Sequence, residues 1–223
     1  MRSGRALGQD PVEERDRWDA LRVGVTGHRP DRLQIPDLAA LRAVVREVLA
    51  VIGRASGGRV TVVSPLAEGA DQLAAAEALA AGFQLVCPLP FPADEYTRDF
   101  ASPASAEAFR ALLTRASAVE ELPGSRATPE DERAAYAAVG ARVLDGADLL
   151  LTIWDGRRAR GPGGTAEIVV EARRRGVPTV WIEARPPHGV RVLAGDNGPQ
   201  GESLDALAKR LIRDRRLRFP SAR

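Results

Sequence analysis

The chain has 223 residues, of which 44% are hydrophobic, 28% charged and 4% aromatic. That composition supports a buried core and excludes global disorder. Lys+Arg 32 against Asp+Glu 30 leaves a formal net charge of +2, and one cysteine with two histidines excludes a disulfide framework and a multi-ligand zinc site. No apolar run approaches the roughly 20 residues of a membrane span, and residues 1–10 lack the apolar core of a signal peptide. These features point to a cytoplasmic protein.

Residues 1–20 are polar, without a strong period, and read as a flexible lead-in. Leu21–Thr26 is a short β-rich run ending at Gly27-His28-Arg29-Pro30. Asp37 is placed to cap a helix whose apolar residues, Leu38 to Ile52, recur every three or four positions until Gly57-Gly58. Arg59–Ser64 predicts a second strand, followed by Gly69 and an Ala-rich helix that Gly82 closes. Phe83–Leu89 predicts a third strand, closed by Pro88, Pro90 and Pro92.

The middle of the chain is less regular, with a helical pattern over Ala104–Ser117 and a short run, Ala118–Leu122, that can be a strand. Glu130–Gly146 reads as helix and Asp148–Trp154 as the most apolar strand. A glycine-rich loop follows, then a helix over Thr165–Arg175 and a final buried strand at Pro178–Ile182. Residues 185–200 read as a Pro/Gly-rich loop and Leu204–Leu217 as a solvated terminal helix, with five arginines at 210–218 as its one basic concentration. Strands that are apolar throughout and alternate with helices predict a mainly parallel, doubly wound α/β sheet of five to six strands. The expected organisation is one Rossmann-like domain over 21–217 and a tail at 218–223.

In such a sheet ligands bind beyond the carboxyl ends of the strands, and three turns there are unusual. Thr26-Gly27-His28-Arg29 offers close backbone approach and an arginine fork for a phosphate or carboxylate. Ser64–Asp71 places small residues at a helix start, where bare N–H groups favour anions. Within it Glu68 and Gly69 are candidates beside Asp71, which can cap the helix or accept from a ribose hydroxyl. The third turn runs from Asp155-Gly156 through Gly161, Gly163 and Gly164 to Thr165 and Glu167, and its glycines can form a phosphate-cradling turn. It is neither a Walker A loop nor the G-x-G-x-x-G fingerprint. Asp155 can meet a hydroxyl or cap its loop. Tyr96 and Tyr136 can stack on a base or pack. Cys87 reads as inert core, and His28 as a proton carrier without an evident nucleophile to serve.

Taken together, Val23–Arg29, Ser64–Asp71 and Gly161–Glu167 resemble the SLOG superfamily, which includes the Smf/DprA and LOG-like proteins. The Ser64–Asp71 segment is similar to the DprA loop, and Gly-Gly-Thr-Ala-Glu to the LOG signature, with its glycine spacing one residue shorter. The resemblance implies a Rossmann-like domain that binds a nucleotide or nucleotide-derived metabolite, NAD- or ADP-ribose-like or a nucleoside monophosphate, as a sensor. It implies two alternatives: LOG-type hydrolysis of a nucleoside 5′-monophosphate, with Glu167 as the catalytic glutamate, and DprA-like single-stranded DNA binding. The arginine that LOG enzymes pair with that glutamate has no match, since the preceding helix offers Arg133 and Arg142 but no Arg-Lys pair. The resemblance also implies a homodimer. No cofactor, metal or membrane partner is expected.

Overall fold

The computed structural model describes residues 20–33, 38–157, 164–194 and 201–218. Strands β1 (Leu21–Gly27), β2 (Val60–Val63), β3 (Gln84–Leu89), β4 (Ala118–Glu121), β5 (Leu149–Trp154), β6 (Thr179–Glu183) and β7 (Val190–Leu193) form one seven-stranded sheet in the order β4-β3-β2-β1-β5-β6-β7. Every neighbouring pair is parallel except β6 with β7. The helices are α1 (Pro30–Leu33), α2 (Leu38–Ser56), α3 (Ala70–Ala80), α4 (Ala93–Tyr96), α5 (Pro103–Leu113), α6 (Pro129–Leu144), α7 (Thr165–Arg174) and α8 (Leu204–Arg218), with a 3-10 turn at Thr97–Asp99. This is the mainly parallel, Rossmann-like α/β architecture expected of the sequence.

The strands hold their places because both faces are covered. Leu21, Val23 and Val25 of β1, all of β2, and Leu149–Ile153 of β5 are buried, which is the signature of a parallel sheet between helical layers. On α2, Leu41, Val45, Val48, Leu49 and Ile52 form the buried stripe that the three-and-four spacing predicted. The Ala-rich α3 has little side-chain bulk to offer. It lies close against the sheet instead, with Ala70, Ala74, Ala75 and Ala78 buried. A methyl on Gly27 would sit 2.4 Å from the Ala70 Cβ.

Two expectations need correction. The sheet has seven strands rather than five to six, and β6 is not the last: Val190–Leu193, read as loop, pairs antiparallel with it from Thr179↔Leu193 to Ile182↔Val190. The run is four residues long and follows Pro186-Pro187-His188-Gly189, so its local signal is that of a turn, and β6 supplies the pairing. Nor is α8 simply solvated. It packs along α2, and Arg215 is buried in an ion pair with Asp148, which also accepts from the Arg22 amide at 2.8 Å. Asp148→Asn keeps the shape and removes the charge. It is expected to lower unfolding stability by roughly 2 kcal/mol, measured by urea denaturation. The expected cap Asp37 lies outside the described residues.

Candidate functional site

Strand order reverses between β1 and β5: the chain moves outward from β1 through β2 and β3 to β4, then returns to the other side of β1. A crevice must open at such a point, because the connections following the two central strands leave toward opposite faces. Here it is a cleft of about 400 Å³, a size that suits a small molecule. Thr26, Gly27, His28 and Arg29 line it from the end of β1, Ala67 and Asp71 from the start of α3, and Gly164 and Thr165 from the start of α7. Tyr96, Tyr136, Val139, Gly140, Val143 and Ile168 add a largely apolar wall.

The other expected residues fall elsewhere. Gly69, at φ +105°, packs behind the cleft, where a Cβ would meet the His28 carbonyl at 2.6 Å. Only glycine tolerates both that backbone and that approach. Its amide neighbour Ala70 donates to the His28 carbonyl at 3.1 Å, tying the α3 start to the end of β1. Glu68 reaches sideways to accept from the Ala101 amide at 2.9 Å. Glu167 is exposed on α7 and is not among the cleft-lining residues. Gly161 and Gly163 lie outside the described residues.

Asp155 sits just beneath the cleft. Its Oδ1 is 2.8 Å from Nε2 of His28, its oxygens are 3.2–3.3 Å from Nη2 of Arg32, and the Arg157 amide donates to it at 3.0 Å. Burial opposes the charge, but the hydrogen bond from His28, the Arg157 amide and Arg32 outweigh it and hold the carboxyl down at about 2. Burial in turn pulls the His28 imidazole below its ordinary value despite the Asp155 hydrogen bond. The Asp155 amide also donates to Nε2 at 3.2 Å.

Asp71 behaves differently. It is the second residue of α3 but does not cap it: Gly69 is the N-cap, with no side-chain cap hydrogen bond. The Asp71 side chain is buried, and Oδ1 has no hydrogen-bond partner. Burial pushes its carboxyl up to about 8, with Arg29 and the Ala67 amide pulling the other way. At neutral pH it is a carboxylic acid rather than a carboxylate.

Arg29 is steered by Asp99, which the sequence alone did not single out. Nη1 of Arg29 donates to the Asp99 carbonyl at 3.3 Å, and Nη2 lies 3.6 Å from Oδ2. Asp99 also accepts from Arg126 Nη2 at 2.7 Å and from the Tyr136 hydroxyl. Burial, together with that bond, raises the Tyr136 phenol to about 12. Arg126 stacks over Phe91 at 3.9 Å. The cluster joins residues 27 to 70 positions apart, so no local motif announces it. Both tyrosines line the cleft: Tyr96 packs against Phe100 and Phe109, and Tyr136 against Phe91.

No protein-family model and no curated protein sequence matches the chain. Solved structures do. A structure of DNA processing protein A from Helicobacter pylori, described for its single-stranded DNA binding mode, superposes with a TM-score of 0.51 at 15% identity, covering 88% of this chain and 83% of that one. At that identity the likeness is one of fold: a mainly parallel, Rossmann-like α/β sheet with flanking helices. DprA from Streptococcus pneumoniae gives a TM-score of 0.49 at 15% identity over 89% of this chain, which spans 58% of that protein's length. The structural-genomics target TM1055 gives 0.44 at 17% identity, with 71% and 72% of the two chains covered. Among the described residues no helix is long and apolar enough to cross a membrane.

Proposed function

We propose that the cleft binds a nucleotide or nucleotide-derived metabolite, NAD- or ADP-ribose-like or a nucleoside monophosphate, and that the protein acts as its sensor. The observation that carries this reading is the meeting of two anion-favouring features in one crevice. Arg29 lines the cleft with a side chain 40% exposed. Gly164 and Thr165 at the start of α7 line the same cleft, and Gly164 provides no side-chain cap, so the helix dipole and first-turn N–H groups favour negative charge there. The apolar wall of Val139, Val143 and Ile168 suits a base.

Thermal unfolding with AMP, ADP-ribose and NAD tests the reading. At least one should raise Tm saturably, and Arg29→Ala should weaken its binding about 10- to 100-fold, as expected for losing a charge-assisted hydrogen bond. Absence of stabilisation by all three overturns the reading. Free base released from a nucleoside monophosphate would replace sensing with hydrolysis and direct attention to Glu167. Salt-sensitive binding to single-stranded DNA would favour a DprA-like role.

A further inference from the structure

We infer that the protein has a second binding site, a groove between α2, α3 and α5 that takes an aliphatic carboxylate, its tail against leucines and its head group on Arg115. The inference does not rest on the nucleotide reading of the cleft.

The groove follows from the composition of α3. This alanine-rich helix packs against both α2 and α5, and its short side chains leave the space between those neighbours partly unfilled. The concavity measures about 600 Å³, within the range of small-molecule sites. Leu33, Leu38, Leu73 and Leu112 line it, with Ala108 and Ala111 of α5. Three of the leucines are buried, whereas Leu38 is 45% exposed. The short helix α1 divides this groove from the cleft: Pro30 and Leu33 line the one, Asp31 and Arg32 the other.

The lining chooses the ligand's chemistry. No aromatic ring and no acidic side chain is among the described residues that line the groove, so it offers a saturated tail a surface and an anion no repulsion. Two of its three polar side chains are already engaged. Gln72 Nε2 donates to the Leu66 carbonyl at 3.3 Å, and Arg42 is 2.8 Å from buried Glu77, which Arg46 also approaches at 3.1 Å. Arg115, just past the end of α5, is different. It is exposed, and its guanidinium has neither a hydrogen bond nor an ion pair among the described residues. One free guanidinium fork matches one planar, singly charged carboxylate. A phosphate monoester, with a charge approaching −2 at neutral pH, would call for the arginine that Glu77 already holds.

The test titrates the full chain by calorimetry with decanoate, hexanoate, decanol and decylamine, each kept below its aggregation limit. Decanoate should bind saturably at one site, about tenfold or more tighter than decanol or decylamine, as one charge-assisted hydrogen bond predicts. Hexanoate should be weaker by roughly two- to fourfold for each methylene removed. Arg115→Gln should lower decanoate to the affinity of decanol and leave decanol unchanged. Ala111→Trp, at an exposed position of α5, should fill the groove and abolish binding of both while the urea midpoint stays that of the wild type. Ala108→Trp, one turn earlier, repeats that test if Ala111→Trp does not fold. Unsaturable uptake of decanoate, equal affinities for the three ten-carbon ligands, or binding that survives a folded tryptophan variant overturns the inference.

Discussion

Gly27→Ala is expected to be strongly destabilising. The added Cβ would stand 2.4 Å from the Ala70 Cβ and 2.8 Å from the Ile153 carbonyl. Neither neighbour can retreat: the carbonyl accepts the His28 amide at 3.0 Å, and the Ala70 amide is bonded to the His28 carbonyl. Overpacking usually costs about 1–3 kcal/mol where side chains can shift. Here strand and helix backbones would have to part, so a loss of roughly 3 kcal/mol or more is expected, visible in chemical denaturation. Gly57→Ala is the control. It has a positive φ of 64° but nothing within 4 Å, so it should cost only about 1 kcal/mol of backbone strain. Equal losses for the two would show that the close approach of α3 to β1 is not the constraint.

The second large effect is a pH dependence located in one side chain. In the unfolded chain Asp71 titrates near 3.9, while in the fold burial holds it at about 8. Below pH 4 both states carry the proton and the group is neutral toward stability. Between about 4 and 8 the unfolded state has released its proton and the folded state retains it, so folding stability falls as pH rises, by at most roughly 1.4 kcal/mol per pH unit. Above 8 the loss is complete. Asp71→Asn removes this slope. The variant should therefore be several kcal/mol more stable than wild type at pH 9 and differ least below pH 4. Parallel stability curves across the whole range would sink the assignment of a protonated Asp71.

Much of the fold was legible because local chemistry and tertiary role agree. The run Leu149–Ile153 is apolar at every position and is a central strand buried on both faces. The stripe on α2 runs at helical spacing and meets the sheet. Legibility fails where pairing overrides the local signal. Val190–Leu193 is short and follows two prolines and a glycine, yet β6 recruits it. The turns at 26–29, 67–71 and 164–165 do line one cleft, but their members divide in ways that spacing does not reveal. Gly69 serves packing, Asp155 orients His28 from below, and Asp71 is buried rather than capping. Asp99 and Arg126 were invisible as site neighbours because their partners are distant in the chain.

The margins of the sheet differ from its centre. β4 ends one side with Glu120 and Glu121 on an exposed strand that also shows Val119 at 45%. β7 ends the other side with Arg191 beside Val190. Arg142 on α6 reaches over to Glu120 at 2.8 Å, and Glu121 accepts the Ala93 amide at 2.8 Å. These contacts anchor the acidic margin to its own molecule. Two β4 margins brought together would set carboxylates against carboxylates, so fibrillar growth by strand-to-strand annealing is disfavoured there even though the border is bare.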